Sequence, residues 1–306
     1  METISHNEET LQRWQLGAST FTANVQRGAR LQSWVLKLPT TSRNVIYWPE
    51  NPDMSDYAGI RGGNPILFPF CGRCYADGQR FFWSDPDGKI RPMPLHGIAR
   101  QGRFSIVSAS KNTLDALFHP SPDANEAYPF TYAFNVRYTF AELALECDLV
   151  LRNDDTRPIP WAPGHHPYFG LPWHPGLARA DYQASIPAKK IWRHAADGKL
   201  APHPGLASLQ PDFADPGLSD AIHTRLRTNI VTFGPRSGEE NISLQIGEDS
   251  VPDARTTCVT WTAAPDSPFY CVEPWAAPPN APALKNGLRW VPPGATDTFH
   301  IRISLD

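Results

Sequence analysis

The sequence predicts an all-β protein, a large antiparallel β-sandwich. Short segments with an apolar residue at every second position recur along the chain, as in half-buried strands. The 32 prolines and 21 glycines leave little room for a long uninterrupted helix. Turn-forming clusters separate the segments evenly, and none is a long flexible linker. Residues 1–306 are therefore expected to form one domain.

The strands can be assigned in order along the chain. Residues 21–38 predict two strands around Gly28. In residues 143–151, alternate positions are apolar from Leu143 to Leu151, which predicts one buried face. Further strands are predicted at residues 102–108, 133–138, 256–262 and 299–305. The turn clusters between strands are at residues 119–125, 153–164, 201–217 and 233–240.

Composition excludes several classes of function. The formal net charge is −3 and no Lys/Arg-rich run occurs, so no nucleic-acid partner is expected. Residues 1–10 are polar and acidic, unlike a secretory signal. The longest apolar runs, such as residues 65–71, are too short to cross a bilayer. We therefore expect no membrane association and a cytoplasmic location.

The five cysteines include one C-x-x-C pair, Cys71 and Cys74. A zinc site would normally add a second pair or a Cys/His pair at a suitable spacing, and none is evident. We interpret the cysteines as reduced thiols that pack as small hydrophobic residues. Neither a metal nor a cofactor is expected.

Two distant segments carry groups that could transfer protons. In the first, His165 and His166 are neighbours in an extended stretch, so their side chains point to opposite faces. His166 precedes a proline, which favours extended backbone, and Tyr168 would share its face. Only one of the two histidines can therefore face a given cleft. The alternative is that the segment belongs to an aromatic core or a turn.

The second segment carries Glu273, which also precedes a proline and lies among aromatic residues. Burying an unpaired ion is costly, so desolvation should raise the pKa of this carboxyl group and make it a better base near neutral pH. The alternative is a structural carboxylate bonded to backbone amides or to an arginine.

Two further segments complete the pattern. One, residues 61–73, is punctuated by glycine and proline and ends in Arg73. Its double glycine lacks the spacing of a phosphate-binding loop. The other, residues 94–100, places His96 before a glycine and ends in Arg100.

Together and in this order, the four segments resemble the aldose 1-epimerase (mutarotase) family. The stretches that carry the resemblance are G-G-x-P-I-L-F-P-F-x-x-R, L-H-G-x-A-R, G-H-H-P-Y-F and E-P-W-x-x-P-P-N-A. They are spread over residues 61–281, most of the chain. The resemblance implies a galactose mutarotase-like supersandwich and an isomerase that interconverts the α and β anomers of a small-molecule aldose.

The resemblance also implies roles for single residues. His166 corresponds to the family's catalytic acid and Glu273 to its base. His96 and Arg73 correspond to groups that contact the sugar. Asp220 is the best match to a sugar-binding aspartate, with a solvated loop aspartate as the alternative.

Two other functions stay open. The continuation from His96 to Arg100, and Arg61 before the double glycine, look more like the hexose-6-phosphate branch of the superfamily. Guanidinium groups match phosphate oxygens in a fork geometry, so Arg61 and Arg100 could bind a sugar phosphate; otherwise they would pair with carboxylates elsewhere. The remaining alternative is a non-catalytic carbohydrate-binding protein on the same sandwich.

Overall fold

The computed structural model describes residues 1–6, 9–206, 208 and 210–306, and there the prediction of an all-β fold is confirmed. The strands are β1 (Glu2–His6), β2 (Glu9–Leu16), β3 (Ser19–Asn24), β4 (Arg30–Lys37), β5 (Ser42–Ile46), β6 (Ile66–Leu67), β7 (Tyr75–Ala76), β8 (Gln79–Arg80), β9 (Phe82–Ser84), β10 (Ile90–Pro92), β11 (Arg103–Ala109), β12 (Thr113–His119), β13 (Tyr132–Ala141), β14 (Ala144–Asn153), β15 (Ile159–Trp161), β16 (Gly164–His165), β17 (Tyr168–Gly170), β18 (Tyr182–Ser185), β19 (Ala188–His194), β20 (Leu200–Pro202), β21 (Ala221–Leu226), β22 (Ile230–Pro235), β23 (Ile242–Ile246), β24 (Thr257–Trp261), β25 (Phe269–Trp275), β26 (Arg289–Val291) and β27 (Thr296–Leu305). The helices are α1 (Pro122–Ala127) and three short 3-10 helices, Met54–Asp56, Arg179–Asp181 and Ala281–Ala283. No helix of the described chain is both long and apolar enough to cross a bilayer.

Two large antiparallel sheets carry most of these strands. The larger has thirteen strands, with eleven in the order β1-β2-β3-β4-β5-β17-β25-β24-β21-β19-β20, while β16 pairs with both β25 and β6. The smaller has eight strands in the order β11-β12-β13-β14-β27-β23-β22-β18. Three two-stranded sheets, β7-β8, β9-β10 and β15-β26, lie outside them.

The main core lies between the two sheets. Phe21 of the larger sheet meets Phe140 of the smaller, with ring centroids 4.8 Å apart. Phe169 of β17 packs against Phe233 of β22 at 4.7 Å. Such contacts make the pairing of the sheets specific, because offset and edge-on aromatic contacts add to the free energy of burial.

The hairpin β13-β14 shows how alternation produces this core. Leu145, Leu149 and Leu151 are buried on one face, as predicted. Leu143 was predicted to share that face but is 48% exposed. The reason is that Ala141 pairs with Ala144, so Leu143 lies in the tight turn between the strands.

Two turn assignments need correction. The cluster at residues 119–125 contains the start of helix α1, because the Ser121 hydroxyl accepts a hydrogen bond from the Ala124 N–H at 3.2 Å and Pro122 occupies the first turn. The cluster at residues 153–164 contains β15, which pairs with the distant β26. A strand of three residues is too short to show alternation in the sequence.

Candidate active site

A cavity of about 430 Å³ opens beside the centre of the larger sheet. All six residues singled out by the sequence line it: Arg73, His96, Arg100, His166, Asp220 and Glu273. His166 and Glu273 belong to the paired central strands or the short link between them, whereas the other four lie on loops and turns. The fold therefore brings together residues that are as much as two hundred positions apart in sequence.

His166 is held between two aromatic rings in the link from β16 to β17. Its imidazole stacks on Tyr168, with centroids 4.8 Å apart and an interplanar angle of 12°. Trp261 meets its edge at 5.7 Å, and the backbone N–H of His166 donates to the carbonyl of Pro65 at 3.2 Å. The prediction that Tyr168 shares the face of His166 is confirmed.

His165 points the opposite way. It is fully buried, and its ring lies over Phe299 of the smaller sheet, with centroids 6.1 Å apart. Its Nδ1 is 3.2 Å from the Asn64 amide nitrogen. The prediction that only one of the two histidines faces the cleft is therefore confirmed, and that residue is His166.

Glu273 lies on β25, flanked by β24 and β17, and is 1% exposed. Its Oε1 lies 3.4 Å from His166 Nε2. Burial raises the pKa of the Glu273 carboxyl group well above its usual range, and the nearby Asp220 carboxylate raises it further. The nearby Trp275 indole N–H acts in the opposite direction and lowers this pKa. It does not reach hydrogen-bond geometry, because neither Trp275 Nε1 nor Glu273 Oε2 has a partner in the described part of the chain.

The charge state of this pair follows from its burial. Burial lowers the pKa of His166 to about 3, and the positive charge of Arg100 acts in the same direction. The two residues together therefore favour a carboxylic acid beside a neutral imidazole. The pair still holds one exchangeable proton, but that proton resides on Glu273 instead of on His166.

His96 is fixed by the backbone of Gly72. The backbone N–H of His96 donates to the Gly72 carbonyl at 2.9 Å, and the ring Nδ1 of His96 accepts from the Gly72 backbone N–H at 3.2 Å. Because Nδ1 is an acceptor, the ring proton of this neutral histidine is on Nε2, where it can be donated. Gly97 makes the turn possible, since its φ is +81° and a Cβ would lie 2.0 Å from the Phe68 carbonyl oxygen.

Three arginines line the cavity: Arg61, Arg73 and Arg100. No carboxylate of the described residues lies within ion-pair distance of any of them. The Arg73 Nε is buried with no hydrogen-bond partner among the described residues, and the Arg61 guanidinium lies over the Trp261 ring at 5.6 Å. Their positive charges are therefore available to a ligand.

Other cavity residues were missed by the sequence analysis. Asp56 ends a 3-10 helix, and its Oδ1 accepts from the Gly59 N–H at 3.1 Å. His194 ends β19, and burial lowers its pKa, as does nearby Arg73. No motif pointed to either residue. Trp261 could have been found, because it alternates with Val259, another cavity residue, along β24.

The C-x-x-C pair lies beside this site without facing it. Cys71 and Cys74 are both buried and free, and burial raises the pKa of each thiol. Cys71 packs with Trp275 and Leu67 in a small cluster, and Cys74 belongs to the main core. This placement agrees with the interpretation of these cysteines as small hydrophobic residues.

The chain is similar in sequence to known proteins. The sequence model of the aldose 1-epimerase family matches residues 13–227. "Protein LacX, chromosomal" of Lactococcus lactis subsp. lactis is 26% identical over 229 residues, which cover 70% of this chain and 74% of that protein. The family match includes five of the six predicted residues and stops before Glu273. The place of Glu273 beside His166 therefore comes from the structure.

Solved structures share the fold. The Slr1438 protein of Synechocystis sp. PCC 6803 has a TM-score of 0.80 at 21% identity, over 100% of this chain and 99% of that one. A galactose mutarotase related enzyme from Lactobacillus acidophilus has a TM-score of 0.77 at 19% identity, over 97% of each chain. The prediction of a galactose mutarotase-like fold is confirmed.

Proposed function

This chain belongs to the aldose 1-epimerase family, and we propose that it interconverts the α and β anomers of a sugar by opening and closing the ring. The observation that carries the proposal is the 3.4 Å separation of His166 Nε2 and Glu273 Oε1 at the wall of one cavity. The cavity volume of about 430 Å³ is within the usual range for small-molecule sites.

The reaction needs two proton transfers. The C1 hydroxyl loses its proton to the Glu273 carboxylate while the ring oxygen gains one from His166 Nε2–H. The C1–O5 bond breaks, the aldehyde forms, and the C1–C2 bond rotates. The ring then closes on the other carbonyl face with the two roles reversed. A well-placed acid or base typically contributes about 10²–10⁴ in rate.

The resting charge state is compatible with these roles. Moving the carboxyl proton from Glu273 to His166 across 3.4 Å produces the carboxylate and the imidazolium without exchange with solvent. Sugar hydroxyls beside the pair would solvate both charges. The proposed catalyst is therefore the singly protonated pair.

The remaining groups suit the hydroxyls of a pyranose. Arg73 offers a buried Nε–H that has no partner in the part of the chain that the structure describes, and His96 offers Nε2–H. Asp220 supplies acceptor oxygens from the turn before β21. Donors and acceptors held on separate segments would fix the orientation of the sugar relative to the proton-transfer pair.

A second candidate substrate is a sugar phosphate. Arg61 and Arg100 favour this substrate, because both line the same cavity and neither forms an ion pair in the described structure. They are the arginines whose sequence context resembles the hexose-6-phosphate branch. A phosphate there would gain charge-assisted hydrogen bonds from both guanidinium groups.

Anomer exchange measured by polarimetry, with free aldoses and their 6-phosphates, tests both substrates. We expect the wild-type protein to accelerate exchange. If a phosphate is bound, Arg100→Ala should lower kcat/KM for the phosphorylated sugar about tenfold or more and change the free sugar much less, given the strength of a hydrogen bond to a charged group. Arg103→Ala, an exposed arginine outside the cavity, is the control.

The outcomes separate the candidates. Equal losses for both sugars in Arg100→Ala would remove the phosphate candidate and leave the free aldose. Binding of a sugar with no acceleration for any member of the panel would contradict the enzyme and indicate the non-catalytic carbohydrate-binding alternative.

A further inference from the structure

Three side chains of different chemistry meet beside the cavity, and two of them line it. They are His166, Cys271 and Glu273, and one donor atom from each lies within 4.8 Å of the others. Cys271 and Glu273 are two positions apart on β25, so they project from the same face of the strand. Proton transfer uses only two of the three, which leaves the thiol without a role.

The spacing suits a tetrahedral metal ion. Zinc binds imidazole nitrogen and carboxylate oxygen at about 2.0–2.2 Å, which places two such donors about 3.3–3.5 Å apart. The observed separation of His166 Nε2 and Glu273 Oε1 is 3.4 Å. Thiolate sulfur binds at about 2.3 Å, so a tetrahedral site places it about 3.5 Å from the other two donors. Cys271 Sγ lies within 4.8 Å of both and therefore has to move closer by roughly 1.3 Å at most.

The charges also match. A zinc ion with one thiolate, one carboxylate and a neutral imidazole is neutral overall, so burying it avoids the cost of an isolated ion. Glu273 Oε2 is buried without a partner in the described structure, and an ion bound by both carboxylate oxygens would give it one. On binding, the protons of the thiol and of the carboxyl group leave to solvent.

We propose that Zn²⁺ binds to His166 Nε2, Cys271 Sγ and the Glu273 carboxylate, and that the bound ion stops anomer exchange by occupying both proton-transfer groups. The binding part of this proposal stands on the three donors alone, whereas the inhibition part rests on the proposed function. The ion acts here as an inhibitor, in competition with the sugar.

Calorimetric titration of the full chain with zinc chloride tests the binding site. We expect one ion per chain, and we expect Cys271→Ser and Cys271→Ala each to raise the Kd at least tenfold, as loss of a ligand should. Cys74→Ser, an equally buried thiol of the C-x-x-C pair, should leave the Kd unchanged. Circular dichroism checks that each variant is folded.

Cobalt(II) gives an independent readout. A thiolate-to-cobalt absorption band should appear with the wild-type protein and with Cys74→Ser, and be missing with both Cys271 variants. Absence of stoichiometric zinc binding, or loss of binding in Cys74→Ser instead of the Cys271 variants, would overturn the site.

The inhibition is measured against each protein's own metal-free rate. Zinc should slow anomer exchange by the wild-type protein, a chelator should restore it, and Cys271→Ser should need at least tenfold more zinc for the same inhibition. Zinc bound at the site with undiminished exchange would overturn the inhibition. If the metal-free wild-type protein shows no exchange at all, the proposed function fails while the calorimetry still decides the metal site.

Discussion

Two of the histidine–carboxylate pairs in this protein differ mainly in burial. His300 Nδ1 lies 2.7 Å from Asp148 Oδ1 on the outer face of the smaller sheet, where the side chains are 17% and 39% exposed. His166 and Glu273 are 3.4 Å apart beside the cavity, with side chains 11% and 2% exposed. The hydrogen bond to Asp148 raises the pKa of His300, whereas burial lowers the pKa of His166.

The difference shows that burial, and not the identity of the two residues, decides what such a pair does. Near water, both groups of the outer pair can be charged, so attraction raises the histidine pKa. Inside the protein, the cost of desolvating two charges exceeds that attraction, and the neutral forms are favoured. The outer pair, His300 and Asp148, is therefore a weak structural ion pair. The buried pair, His166 and Glu273, shares one proton, and we propose that a bound sugar takes part in the transfer of that proton.

The largest expected effect comes from Glu273→Gln. Because the amide cannot take the C1 proton, kcat should fall by about 10²–10⁴ while sugar binding persists. The melting temperature should change little, since a buried neutral acid is replaced by a side chain of the same shape. Polarimetry, calorimetry with the sugar and thermal unfolding check these points, with Asp148→Asn as the matched control that should keep its activity. Near wild-type turnover in Glu273→Gln would contradict the proposed base.

The next test separates the two adjacent histidines. His166→Asn should lower kcat by about 10²–10⁴ with a small change in stability. His165→Asn should instead destabilise the fold by about 1–3 kcal/mol, because it disturbs a buried hydrogen bond with Asn64, and the folded fraction should keep most of its kcat. Denaturant unfolding and steady-state kinetics on both variants measure this. The opposite pattern would mean that the wrong face of the segment has been assigned to catalysis.

The smallest effect is expected at the outer pair. Since the folded-state pKa of His300 is raised, the stabilisation by Asp148 is fully present below the ordinary histidine pKa of about 6.5 and is lost as the pH rises through the folded-state pKa. Asp148→Asn should therefore cost at most about 1 kcal/mol at acidic pH and almost nothing at alkaline pH.

Urea unfolding of the wild-type protein and of Asp148→Asn, at about one pH unit below and two above the ordinary histidine pKa, measures this difference. A cost that stays constant across the range would show that Asp148 stabilises the fold by something other than the charge of His300.

The alternation of apolar and polar residues, together with the turn-forming clusters between strands, was sufficient to predict much of the fold. The strands around Gly28, and those now seen as β11, β13, β14, β24 and β27, follow from period-two patterns. Helix α1 and strand β15 did not, because elements of six and three residues are too short to show a period. The sheet order could not be derived either, since pairing such as β17 with β25 depends on contacts about a hundred residues apart.

The candidate site was predicted unevenly for similar reasons. His166 and Glu273 stood out because each precedes a proline among aromatic residues, and their assignment as acid and base came from the resemblance to the aldose 1-epimerase family. Asp56 and His194 were missed because only folding brings them to the cavity. The thiol of Cys271 was missed, although its spacing of two residues from Glu273 places both side chains on one face of a strand.

The distribution of the cavity residues between strands and loops bears on how the substrate preference of this protein could evolve. The proposed proton-transfer pair lies on the central strand β25 and on the two-residue link between β16 and β17, whereas Asp56, Arg61 and Arg73 lie on longer connecting segments. If the proposed function is right, exchanging those segments with the corresponding ones of relatives should alter substrate choice and leave the proposed proton transfer in place. Natural or laboratory selection for a new substrate should therefore change mainly the connecting segments that line the cavity.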